Sequence, residues 1–366
     1  MTQPYQPHML KSHIPLGAPA TRQPYKGDES DMRVEPGFTP SWYQQELDID
    51  FGRAWHSDPE YRFETAKRMR EMVTRRFENL SIGGQESQSG SLSGAYGSCL
   101  IPAMFGISIE YYPNNWPCPE PRFIQKNVLA GFDRLDVQNT HCFEELVLQM
   151  DLIEKKWGRI HGFLNPQGIT NNALRIRGPD IMLDMYDDPP FVDHFFSVIC
   201  QAMLETIKYV QSRQRASGVD VNFFTVGNCT TNMIGCELYE RFVLSHDKKL
   251  CSEFPSFGLH NCNWTIDPYA ESYSKIGLLG YVDMGLDSDM KRMRQLFPNT
   301  RRAVMYSPIE LVNKSLDRIE QDILRIRREL SPCDIVLADI EAGTDDRRVL
   351  DFVRIAEQSL SIQVEM

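Results

Sequence analysis

The feature that most limits the fold is a cadence in the second half of the chain, where short, nearly unbroken apolar runs alternate with amphipathic segments. "VDVNFFTVGN" (219–228), "FGLHNC" (257–262), "IGLLGYVDMG" (276–285), "RAVMYS" (302–307) and "DIVLADIE" (334–341) read as strands, with "GRIHGFLN" (158–165) an earlier candidate. Strands that are apolar throughout, rather than at alternate positions, are covered on both faces, which is the signature of a parallel sheet flanked by helices. Helices fit between them. Asp58-Pro59 starts one that carries Ala66, Met69, Val73 and Phe77 on one face, and the Asp-Pro junction at 188–189 starts another with Phe195, Ile199, Met203, Ile207 and Val210. Ile319, Ile323, Ile326 and Leu330 mark a third, and Asp345 caps the last.

Parallel strands with right-handed helical crossovers build either an open doubly wound sheet or a closed barrel. The dinucleotide and phosphate-loop versions of the open sheet lack support, because no GxGxxG follows an early strand and no GxxxxGK[ST] occurs. The expectation is therefore an α/β fold, a single (β/α)8 TIM-type barrel over residues 36–366, behind an N-terminal arm of residues 1–35 rich in Pro and Gln. Such an arm lies loose or over the body or a partner subunit, so a homodimer is one assembly it allows.

Several classes of function are disfavoured. A net charge of −11 with no basic tract argues against nucleic acid as the main partner. No run of about 18 uncharged apolar residues is present, so no membrane span is expected. The first 31 residues contain no apolar signal-peptide core, and the nine cysteines are an odd number. Reduced thiols and a cytoplasmic location follow as the expectation.

In barrels of this type the chemistry sits at the C-terminal strand ends. Here those ends carry Asn165, Asn228-Cys229, His260-Asn261-Cys262, Asp283, Tyr306-Ser307 and Asp339-Ile340-Glu341. His260 and Cys262, two residues apart, point to the same side of an extended segment. Imidazole nitrogen and thiolate sulfur both suit zinc, and a catalytic site needs three protein ligands with one position left open. The competing reading is a core histidine beside a buried thiol. Asn228 is a candidate substrate hydrogen-bonder or a turn residue, and Asp283 a further ligand, an acid/base group or a solvated strand-end carboxylate.

"HNC", "MIGCELYERFVLSHDKKL" (233–250) and "NALRIRGPDIMLDMYDDPPFVDHFF" (172–196) resemble the uroporphyrinogen decarboxylase superfamily, and within it the methylcobamide methyltransferase branch. "YGSCLIPAMFGISIEYYPNNWPCPEP" (96–121) shares that cadence, and the resemblance spans roughly residues 90–360. It implies a barrel holding zinc on an HxC pair and a third, C-terminal cysteine, with the methyl group exchanged with the cobalt of a separate corrinoid protein. No cobalamin-binding DxHxxG is present in this chain, which fits a partner-borne methylcobamide. The decarboxylase branch implies an RQAGRY-like element, which "EPGFTPSWYQQELDIDFGRAWH" (35–56) does not contain.

The third ligand departs from that pattern. The position matching the family's cysteine, just after the last strand, is Glu341, whereas the only cysteine after Cys262 is Cys333. A strand of eight residues at about 3.3 Å each puts Cys333 roughly 26 Å from the strand's far end. Geometry favours Glu341 and chemistry favours Cys333. The substrate is then a small methoxyl, amine or thiol compound, and a His260/Cys262/Glu341 site, being comparatively hard, leans towards oxygen and the demethylating direction. The rivals are a metal-independent decarboxylase, needing arginines such as Arg175, Arg177 or Arg302 at the pocket, and a non-catalytic barrel subunit.

Overall fold

The computed structural model describes residues 25–27, 29, 31–78 and 89–361. The first 24 residues of the expected arm, and residues 83–88 of the Ser/Gly-rich segment "GGQESQSGSLSGAYGS" (83–98), lie outside them. Eight strands occur among the described residues: β1 (Met32–Phe38), β2 (Ile109–Tyr112), β3 (Asn115–Pro119), β4 (Phe223–Gly227), β5 (Ser256–His260), β6 (Leu279–Gly285), β7 (Arg301–Met305) and β8 (Cys333–Ile340). Six form one sheet in the order β1-β8-β7-β6-β5-β4, parallel throughout, while β2 and β3 make a separate antiparallel pair.

The result is a parallel α/β fold with six ladder strands rather than the eight expected. The expected strand at 158–165 is reduced to a single parallel bridge between His161 and Ser91. Its glycines explain this. Gly158 and Gly162 take φ of 75° and 89°, outside the extended region, and a β-carbon on Gly162 would stand 2.3 Å from Ser91 Oγ. The segment still runs beside β4, since Gly168 N–H donates to Gly227 O at 2.8 Å and the Phe163 ring rests on Phe223. Residues 158–168 thus pack beside β4 without joining its ladder. The arm also ends earlier than expected, because Met32–Glu35 belong to β1 and pair with β8.

The helices begin where the caps predict. Asp58 accepts from Glu60 N–H and Tyr61 N–H to start Pro59–Arg76, and Asp188 accepts from Phe191 N–H to start Pro189–Ala216. Helix Leu316–Leu330 buries Ile319, Ile323, Ile326 and Leu330 completely against the sheet. Each such side chain contributes roughly 1.5–3 kcal/mol of burial. Polar side chains gather at both ends of the strands, an Arg33/Glu35/Arg301/Asp334 ion-pair cluster at the N-terminal ends and the groups described next at the C-terminal ends.

Candidate metal centre

Adjacent parallel strands fix what meets at their ends. β4 and β5 pair with Gly227 opposite His260, so the following residues match as Asn228 with Asn261 and Cys229 with Cys262. Cys262 takes φ of 58°, a left-handed conformation that a non-glycine residue adopts at some cost and that recurs at functional sites. The turn brings Cys262 Sγ to 2.9 Å from Cys229 Sγ and 3.2 Å from His260 Nε2. Cys229, His260 and Cys262 offer ligand atoms that all lie within 4.8 Å of one another. His260 is buried and the two cysteines are half-buried, so the sulfurs keep an open side.

β6 supplies the support. Leu259 pairs with Val282, which sets Asp283 beside His260. His260 Nδ1 lies 2.7 Å from Asp283 Oδ2, Tyr281 O–H donates to the same oxygen at 2.8 Å, and Asn261 N–H donates to Oδ1 at 2.6 Å. A carboxylate that takes the Nδ1 proton fixes the tautomer and leaves Nε2 free to ligate, the usual outer partner of a metal-bound histidine. Burial works against a charge on His260, but Asp283 and the two sulfurs outweigh it and raise its pKa well above the ordinary value. Cys262 S–H donates to Cys229 Sγ. The S–H bond from Cys262 holds Cys229 well below the ordinary thiol range, despite burial and with help from His260, while that bond and burial raise Cys262.

A second polar layer lies beneath. Asn228 is fully buried; its N–H donates to His260 O at 2.7 Å and its Nδ2 donates to Asp247 Oδ2 at 3.1 Å. Tyr239 O–H donates to the same oxygen at 2.8 Å from a π-helical turn, Tyr239–Val243, a distortion common near functional sites. Burial pushes the Asp247 carboxyl up to about 6, against the lowering effect of those two bonds.

The sequence expectations meet this geometry as follows. His260 and Cys262 converge as expected. Neither expected third ligand joins them: Glu341 accepts from Ser41 Oγ at 2.8 Å and Thr39 Oγ1 at 3.3 Å, at the β1–β8 corner. Cys333 opens β8, buried at the opposite end of the sheet, opposite Met32 and Arg302. The third donor is Cys229, on the strand next to β5, where no reach is needed. The signal for it was the repeated Asn-Cys in "VGNC" and "LHNC", at the ends of consecutive strands. Asp283 faces His260 Nδ1 and Asn261 N–H, and Asn228 is fully buried beneath the strand ends, bonded to Asp247.

The donor set fits zinc. Two thiolates and one imidazole suit zinc by ligand type, and the sulfurs, now 2.9 Å apart, would open to about 3.8 Å around a tetrahedral ion. No protein-family model and no curated protein matches the sequence. Among solved structures the chain is similar to a methyltransferase from Methanosarcina mazei, with a TM-score of 0.63 and 14% identity. That match covers 94% of this chain and 98% of the other, so the likeness is one of whole folds.

Proposed function

We propose that the chain is a zinc-dependent methyltransferase that moves a methyl group between a small methylated substrate and the cobalt of a separate corrinoid protein. The observation that carries this reading is the Cys229/His260/Cys262 cluster, backed by Asp283, at the C-terminal strand ends. Its support is the resemblance of the HxC element to methylcobamide methyltransferases and the whole-chain likeness to a solved methyltransferase. His260 Nε2 and the two sulfurs would hold the ion, Asp283 would orient the imidazole, and the half-buried sulfurs leave one side of the cluster open to a substrate. When bound, zinc supplies Lewis acidity, lowering the pKa of a thiol or polarising a methoxyl oxygen. The preference for oxygen that rested on a carboxylate ligand falls away, since the third donor is a thiol.

Two rivals lose ground on specific contacts. Decarboxylation by arginines needs them at the mouth, but Arg302 donates to the carbonyls of Phe297, Thr300 and Leu330 near the other end of the strands. Arg177 is held by Asp180 and Asp184, and Arg175 by Ser98. A non-catalytic subunit would lack a third ligand-type thiol beside the HxC pair, and Cys229 lies there. No helix among the described residues is long and apolar enough to cross a membrane.

Elemental analysis tests the site directly. Protein purified without chelator is expected to hold about one zinc per chain, lost in Cys229→Ala and Cys262→Ala and kept in Glu341→Ala and Cys333→Ala. Methyl transfer from methoxylated or methylated-amine donors to cob(I)alamin then tests the reaction. A wild-type protein that neither retains nor takes up zinc overturns the reading.

A further inference from the structure

The turn "NPQG" at 165–168 carries a chain of amides whose direction can be worked out atom by atom. It starts at Thr230, the residue after the ligand Cys229. The Thr230 backbone N–H can only donate, and it donates to the side-chain oxygen of Asn171 at 2.9 Å, as does the Thr230 hydroxyl at 2.5 Å. The Asn171 amide is therefore oriented, and its Nδ2 donates to Gln167 Oε1 at 2.5 Å. That orients Gln167, whose Nε2 donates to Asn165 Oδ1 at 2.9 Å. The Gln167 backbone N–H reaches the same oxygen at 3.3 Å, closing an Asx turn. Every oxygen in the series is used, so Asn165 ends the chain with its Nδ2 turned outward. Asn165, Gln167 and Asn171 are all at least nine-tenths buried, yet Asn165 Nδ2 has no partner among the described residues and is absent from the fully enclosed polar atoms.

The Gln167 amide that holds Asn165 lies on the face of the metal centre. Gln167 takes φ of 58°, and its amide atoms stand 3.3 Å from where a β-carbon on Gly227 would be. Gly227 pairs with His260 across β4 and β5, and paired residues of parallel strands present their side chains to the same face. The space that Gly227 leaves empty is thus filled by the Gln167 amide on the side where His260, Cys262 and Cys229 converge. Gly168 locks the turn to β4: a β-carbon there would lie 2.3 Å from Asn228 Oδ1 and 2.7 Å from Gly227 O.

We propose that Asn165 determines specificity by donating from Nδ2 to an acceptor oxygen of the substrate, so that the methyl donor is an oxygen-bearing compound and not a methylated ammonium. The inference rests on the methyl-transfer reading above and adds the substrate class that the softer ligand set no longer supplies. A cation would face an N–H dipole pointed at it, whereas an ether, phenol or carbonyl oxygen completes the chain. Asn165→Asp keeps the Oδ1 acceptor for Gln167 and replaces only the outward donor with an anionic oxygen. Gln167→Glu reaches the same end from a distance, because its new carboxylate draws the Asn165 Nδ2 inward and turns Oδ1 out.

The test is calorimetry on zinc-loaded protein with 2-methoxyphenol and trimethylammonium as probes, and zinc content measured in parallel. Wild type is expected to prefer 2-methoxyphenol. Both variants keep their zinc, bind 2-methoxyphenol about 10- to 100-fold more weakly and gain affinity for trimethylammonium. Equal 2-methoxyphenol affinity in wild type and both variants overturns the role of Asn165 while leaving the methyl-donor reading intact. Loss of zinc from Asn165→Asp also overturns it, since the residue would then be supporting the ligand loop. If Asn165→Asp does not fold, Gln167→Glu decides alone. A zinc-loaded wild type that binds neither probe overturns the methyl-donor reading and this inference with it.

Discussion

Asp283→Asn is a change of one atom that the structure turns into a quantitative test of the centre. Three donors converge on this carboxylate: His260 Nδ1–H and Tyr281 O–H on Oδ2, and Asn261 N–H on Oδ1. An amide offers only one oxygen. If that oxygen faces His260 and Tyr281, the new NH2 opposes Asn261 N–H and leaves a buried donor unpaired, a loss of about 1–3 kcal/mol. If the amide is turned the other way, NH2 faces His260, Nδ1 becomes the acceptor and the imidazole proton moves to Nε2, the nitrogen needed for the metal. Both poses weaken the site, and removing the outer partner of a ligating histidine lowers metal affinity about 10- to 100-fold, or about 1.4–2.7 kcal/mol. The assay is competition for zinc against a chelating dye at fixed pH, with a thermal melt of the metal-free protein alongside. Unchanged zinc affinity in a variant that still folds would refute the assignment of His260 as a ligand oriented through Nδ1.

Other expectations follow from the same contacts. The Asp247 carboxyl, raised from 3.8 to about 6, keeps its proton more readily in the folded chain than in the unfolded one. Its penalty is therefore absent at pH below the unfolded value and grows as pH rises through that window. From the two values the penalty is on the order of 3 kcal/mol at neutral pH. Asp247→Asn should flatten the stability-versus-pH curve between about 4 and 6, and denaturant melts showing the wild-type slope in the variant would contradict this. Gly168→Ala forces a carbon to 2.7 Å from the Gly227 carbonyl and should cost at least about 1–3 kcal/mol together with some zinc affinity. Gly235→Ala, where an added carbon meets nothing within 4 Å, is the control expected to stay within about 0.5 kcal/mol. Chelation in the presence of glutathione disulfide should close a Cys229–Cys262 disulfide, since the sulfurs are 2.9 Å apart, with reduction of the glutathione and loss of zinc uptake until dithiothreitol is added. Retention of both thiols under those conditions would show that the sulfurs do not meet.

The sequence by itself determined the elements of the second half and where they end. "FGLHNC" and "DIVLADIE" could only be buried parallel strands, because residues apolar on both faces have no stable place at a water-facing sheet. Asp58 and Asp188 marked helix starts through a local hydrogen bond that needs no distant partner. The pairing of His260 with Cys262 was readable because the two are neighbours in sequence, although the strand ends at His260 and a left-handed Cys262, rather than a shared strand face, brings them together. What lies between strands was not readable in this way. "GRIHGFLN" has the composition of a strand, but Gly158 and Gly162 adopt a backbone that breaks the ladder, and the number of paired strands falls accordingly.

The third donor was a matter of register, which only the tertiary structure decided. Cys229 lies 33 residues before Cys262 and reaches it because β4 docks on β5 with Gly227 opposite His260. Glu341 has the right position along its own strand, yet its side chain is taken by Ser41 and Thr39 across the β1–β8 corner. Likewise Asp283 and Asn228 showed the residue types of a site, while their roles as supports came from which atoms they face once buried. Local chemistry is written in the order of residues. Which side chains share a metal depends on long-range strand pairing, and a shift of one residue in that pairing would turn Cys229 to the other face.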